Sequence, residues 1–256
     1  MSDQVATSPA PAPPSPVQSL LWGLISTALL AGWIGFQLGW IWALAGVTGV
    51  FVHEYGHVLA INALGYGPGR IHIVPFFGGA ATWKKPLSNE FHGVLIALTG
   101  PMFGLLAMAP FFIARAVTGE DRWLGGAFFV ASINLLNLAP APPLDGSKAL
   151  GPVLAKIHPW VERGAMLVIG VLALLWAITH GEIVLAVFVA LGALGALRRG
   201  RLRPWAAPLT GVQWIASLGA YVLALVIGVL AVGLTANGDG LQAAVSAIRH
   251  LVGGGA

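Results

Sequence analysis

The feature that most constrains this chain is a succession of apolar runs, each nearly free of charge and close to the roughly 20 helical residues that cross a bilayer. About seven can be fitted, over 19–37, 41–64, 91–115, 124–139, 164–180, 182–197 and 211–235. Charged residues make up only 9% of the 256, against 57% hydrophobic. The surface of a soluble domain carries about a quarter to a third charged side chains, so this chain cannot coat one. A water-soluble enzyme is excluded. Wholesale disorder is excluded too, since it needs low hydrophobicity and high charge. The expectation is an all-α polytopic membrane protein with about six to seven transmembrane helices.

The spans define the organisation. Residues 1–18 hold Pro9, Pro11, Pro13, Pro14 and Pro16 among Ala and Ser, which predicts a disordered tail. No basic n-region precedes the first span, which is therefore expected to be retained rather than cleaved. Residues 19–235 form the transmembrane domain. In the closing segment 236–256, Leu241, Ala244, Val245, Ile248 and Leu251 recur at helical spacing, which predicts a short interfacial helix. Between the second and third spans, β-branched and aromatic residues from Arg70 to Trp83 flank Gly78-Gly79, which predicts a small membrane-associated β-hairpin turning at those glycines.

The net charge of +4 raises the question of nucleic acid, but the basic residues lie between spans, as topology signals do. Alternating the spans gathers Arg70, Lys84, Lys85, Lys148, Lys156, Arg163 and the Arg198, Arg199, Arg201, Arg203 cluster on one side. By the positive-inside rule that side is cytoplasmic, which predicts a multi-pass protein of a prokaryotic inner membrane. The bilayer is the expected partner and nucleic acid is not. Trp83, Trp160 and Trp205 fall at the same interface, and Trp40, Trp42 and Trp123 at the other.

Without cysteine, a transition metal must be held by His, Asp or Glu. His53-Glu54-Tyr55-Gly56-His57 supplies the first two ligands. Histidines at i and i+4 lie one turn apart on a helix face, where both imidazoles reach one Zn²⁺, and the intervening Glu can orient and deprotonate a water. With seven His and five Glu, chance predicts roughly 0.004 such patterns, which sets accident aside. Two histidines and a glutamate are also expensive in a membrane helix, so a functional site outweighs the blander reading of a hydrated helix end. Two ligands leave zinc incomplete, and Asp145 fits as the third. It closes a proline-interrupted segment, Asn137-Leu-Ala-Pro140-Ala-Pro142-Pro143-Leu144-Asp145-Gly146, that cannot continue a helix.

These two segments together resemble the site-2 protease family of intramembrane zinc metalloproteases. That family joins His-Glu-x-x-His in one membrane helix to a later Asn-x-x-Pro-x-Pro-x-Leu-Asp-Gly, and Asn137, Pro140, Pro142, Leu144, Asp145 and Gly146 match position for position. Thr99-Gly100-Pro101 looks like its Gly-Pro helix and Gly78-Gly79 like its hairpin. The resemblance covers about 41–150, the expected catalytic core. It implies His53, His57 and Asp145 as metal ligands, Glu54 as catalytic base, and Asn137, Pro140, Pro142, Gly78 and Gly79 as substrate-binding, with a transmembrane protein as substrate. The short connection between the third and fourth spans holds no PDZ domain and no regulatory domain follows the last span, so regulation by such domains is not expected. The spans after 160 lie outside the shared core. His72 and His92 could approach the cleft, but hydrated interface residues are the favoured reading of both, and Gly100-x-x-x-Gly104 permits close helix packing. The rival reading is a metal transporter or a catalytically silent membrane-binding protein using the same ligands. The lack of an internal repeat weakens the transporter.

Overall fold

The computed structural model describes residues 16–74, 78–198 and 206–236. Helices α1 (Pro16–Leu38) and α2 (Trp40–Ala63) are separated by Gly39 alone, whose φ of 99° reverses the chain where an L side chain is rarely found. Strands β1 (Arg70–Val74) and β2 (Gly78–Thr82) follow. Next come α3 (Glu90–Gly104), a 3-10 turn over 105–108 and α4 (Ala109–Thr118). The remaining helices are α5 (Arg122–Asn137), α6 (Asp145–Ile157), α7 (Pro159–Thr179), α8 (Ile183–Arg198) and α9 (Gly211–Ala236).

Among the described residues four helical segments are long and apolar enough to cross a membrane, which is fewer than the six to seven expected. They are Trp40–Ala63, Glu90–Thr118, Pro159–Thr179 and Gly211–Ala236. The shortfall is one of length. The described apolar part of α1 runs from Gly23 to Leu38, and α5 and α8 have 16 residues each, about 24 Å of helix at 1.5 Å per residue against a hydrocarbon core of about 30 Å. Helix α5 stops where the Pro140–Pro143 segment begins. The Glu90–Thr118 segment changes its winding on the way: Pro101 removes a backbone donor and the helix tightens over Leu105–Met108.

The hairpin forms as expected, but Gly78 and Gly79 are not its turn. They open β2, paired with Val74 and Ile73, in a register that runs to Arg70 opposite Thr82. Residues 75–77, between the strands, lie outside the described residues. The proline-rich tail is likewise outside them up to residue 15, and its last three positions open α1. The interfacial helix expected within 236–256, and the Arg199–Arg203 part of the basic cluster, also lie outside the described residues.

Helices α2, α3 and α5 form the centre. One buried cluster joins Ile41 and Ala45 to Met108, Phe111, Val130 and Ala131. A second joins Val94, Ala97 and Leu98 to Leu138, Ala149, Tyr221 and Ala224. In lipid these contacts are held by close packing rather than by exclusion of water, so small residues at crossings matter. Helices α2 and α3 cross at Gly56, where an added Cβ would press on Phe103, the Thr99 carbonyl and Gly100. Helix α9 braces the other side, where Tyr221 Oη donates to the Leu138 carbonyl at 2.8 Å and Trp214 Nε1 to the Val153 carbonyl at 2.9 Å.

The α4–α5 corner carries the exposed pairs Arg115–Asp121 and Arg122–Glu120, and Trp123 there meets Trp40 edge-on at 5.3 Å. The hairpin lies at the opposite end of α2. A single cysteine at position 120 should therefore react with an impermeant maleimide only from outside the cell, and one at position 84 only after permeabilisation. Labelling of position 120 from the cytoplasmic side alone would reverse the orientation expected from the charges.

Candidate metal centre

The candidate ligands come from α2 and from the start of α6, with α3 and α5 packed behind them. Helix α2 presents His53 and His57 one turn apart, and both rings are buried. Asp145 arrives from the far side of the site. Leu144 caps α6 in an extended conformation (φ −61°, ψ 157°), and Asp145 takes the first helical position, where a carboxylate favours the positive end of the helix dipole. The adjoining Gly146 is a forced choice, because a Cβ there would overlap the Leu138 carbonyl that Tyr221 holds.

The three ligand atoms converge. His53 Nε2 and His57 Nε2 are each 3.0 Å from Asp145 Oδ2 and 3.1 Å from one another. The hydrogen bonds behind the rings decide what these atoms are. His57 Nδ1 is 2.7 Å from the Ile96 carbonyl, and His53 Nδ1 is 2.9 Å from Asn134 Oδ1. Both partners only accept, so each ring carries its proton on Nδ1 and turns the Nε2 electron pair inward. With both ring protons on Nδ1, two imidazole electron pairs and a carboxylate oxygen face one another within 3.1 Å, an arrangement that a shared cation would stabilise.

That donor set fits zinc. Bond lengths of about 2.0–2.2 Å in tetrahedral geometry place ligand atoms about 3.3–3.5 Å apart, so the observed triangle needs to open only slightly. Two His and one carboxylate leave one position free, the pattern of catalytic rather than structural sites. The second oxygen of Asp145, Oδ1, is taken by Lys148 Nζ at 2.7 Å, which leaves Oδ2 for the centre. Among the described residues, His53, His57 and Asp145 are the one group of His, Asp or Glu placed to share a metal.

Glu54 follows His53 on α2. It is 6% exposed, and its Oε2 is buried without a hydrogen-bond partner. Buried carboxylate oxygens are usually paired, and this one, next in sequence to His53, has a free lone pair in a buried setting.

Other expected site residues stand further out. Asn137 ends α5, half-buried, and its Nδ2 donates to the Ile133 carbonyl at 3.0 Å. Pro140 and Pro142 belong to the segment that delivers Asp145, and α8 rests on it: a Cβ on Gly192 would press on Pro143 and the Pro142 carbonyl. His92 is occupied by Tyr66, whose hydroxyl lies 2.8 Å from Nδ1, in a cluster with Ser88. His72 pairs with Ala80 across the hairpin. Sequence reasoning missed Asn134, the Ile96 carbonyl and the part α3 plays behind the rings. The signal for Asn134 was present, since an amide inside a membrane helix needs a partner, but its neighbour Asn137 carried the motif.

No protein-family model matches the chain. It is 24% identical over 218 residues, 79% of its length and 50% of the relative's, to the Mycobacterium tuberculosis protein named "Putative zinc metalloprotease Rip3". It is 31% identical over 116 residues to stage IV sporulation protein FB of Bacillus subtilis, covering 43% of this chain and 39% of that one. The chain thus spans half or less of the length of these curated relatives.

Proposed function

We propose that this chain is an intramembrane zinc metalloprotease that hydrolyses a peptide bond of a transmembrane protein. The observation that carries the reading is the buried, unpartnered oxygen of Glu54, one residue from a ligand of a site with three converging donors. His53 and His57 would hold Zn²⁺ through Nε2 and Asp145 through Oδ2. Bound there, zinc supplies Lewis acidity, which acidifies water and polarises a carbonyl. Glu54 accepts the proton that water gives up as it attacks the scissile carbonyl, and passes it to the leaving nitrogen as the C–N bond breaks. His53 and His57 are themselves buried, which shields the rings from bulk water.

A substrate helix must unwind before its carbonyls are free. The two-stranded hairpin, including Gly78 and Gly79, offers strand edges for replacement hydrogen bonds. Asn137, Pro140 and Pro142 line the cleft beside it in this reading and hold the extended segment. The basic residues on the hairpin side support a centre that faces the cytoplasm of a prokaryotic inner membrane.

A transporter would need further ligand sets along a path, and the described residues provide one group. Co-expression with tagged single-span membrane proteins tests the proposal, with fragments expected that depend on Glu54. Zinc flux in proteoliposomes with no cleavage of any single-span protein would favour the transporter instead.

A further inference from the structure

Asn134 has only one way to bond. It is 1% exposed on α5, and its Nδ2 donates to the Val130 carbonyl at 2.8 Å. A carbonyl only accepts, so the amide cannot be turned over without losing that bond. Its Oδ1 is therefore committed to His53 Nδ1, 2.9 Å away, and His53 is committed to carrying its proton there. The ring of a metal-bound histidine is ordinarily oriented by such an outer partner, which fixes the tautomer and the direction of the ligating nitrogen.

Helix α3 holds this arrangement from behind. A Cβ on Gly104 would overlap the Asn134 amide, and a Cβ on Gly100 would overlap the His57 ring. The two glycines of Gly100-x-x-x-Gly104 thus each seat one half of the support, and α3 adds the Ile96 carbonyl for His57. We propose that Asn134 is the positioning residue of the metal centre. It locks His53 as the Nδ1–H tautomer with Nε2 aimed at the metal, and Gly104 provides the space its amide needs. The inference rests on the metal-site reading above and separates the two asparagines of α5: Asn134 acts on the metal ligand, Asn137 does not.

The test uses the full chain in detergent, with zinc affinity measured by competition against a chelator and the visible absorption of the cobalt(II)-loaded protein recorded as a report on ligand geometry. Asn134→Leu, close in size but unable to accept from Nδ1, should weaken zinc binding by roughly 10–100-fold and shift the cobalt spectrum at saturation. Asn134→Asp keeps the acceptor while losing the bond to Val130, and should stay near the unmodified affinity. If Asn134 merely held α5 together, Asp would be as damaging as Leu and the saturated cobalt spectrum of the Leu protein would not move. Either result overturns the proposal. Should the Leu protein not fold, Gly104→Ala displaces the amide without removing it, and unchanged affinity and spectrum there would equally overturn it. An unmodified chain that binds no zinc would instead sink the metal-site reading on which the inference stands.

Discussion

A Glu54→Gln protein should keep its zinc and lose cleavage of a reconstituted transmembrane helix by at least ~100-fold, the lower end of what a general base contributes. The two halves of this expectation have separate structural causes. Zinc is retained because the converging atoms belong to His53, His57 and Asp145, and Glu54 is not among them. Activity is lost because a glutamine amide matches the carboxylate in size and still accepts a hydrogen bond, yet cannot take up a proton. Among the described residues no second base is at hand in this reading, since Asp145, the carboxylate of the converging group, serves as a ligand through Oδ2 and has Oδ1 held by Lys148. Metal content of the purified protein and fragment yield from a defined single-span substrate measure the two halves independently. Full activity in the Gln protein would remove Glu54 from the chemistry.

The parts of this design that were legible in the sequence are those whose physics is local or compositional. Apolar runs with few charges announce membrane helices, and a His-Glu-x-x-His spacing announces two imidazoles one turn apart on one helix face. Span counting failed where it depended on what ends a helix. Helix α5 is cut short by the Pro140–Pro143 segment and α8 has 16 residues, so apolar character alone counted more spans than the described helices are long enough to make. The hairpin turn was misplaced because a Gly-Gly pair is a strong turn signal, whereas here both glycines are paired inside β2, opposite Val74 and Ile73. Helix α6 was not foreseen, since two glycines, an internal Pro152 and a preceding proline run all argue against a helix. Asn134 stayed hidden for a different reason: its partners, His53 and Gly104, are remote in sequence and meet it only after α2, α3 and α5 pack.

The strongest loss of metal is expected from the residue that links the two sequence motifs. Asp145→Ala should strip zinc from the protein and abolish cleavage together, as should His53→Ala and His57→Ala. The Asp145 change is the most telling because its structural side effects are small. The start of α6 is held by its own backbone, with Leu144 N donating to the Ala141 carbonyl at 2.9 Å and Ser147 N to the Leu144 carbonyl at 3.1 Å. Lys148, the carboxylate's other partner, has a side chain 61% exposed, so the freed ammonium turns to water at little cost. What remains is a centre with two imidazoles and no anion to offset the charge of the ion. Loss of a direct ligand should weaken zinc binding by more than the roughly 10–100-fold that removal of an outer partner costs. Elemental analysis after dialysis against a chelator reads the effect directly, with circular dichroism to show that the helices persist. Undiminished zinc in a folded Asp145→Ala protein would break the connection between α2 and α6 on which the metal centre depends.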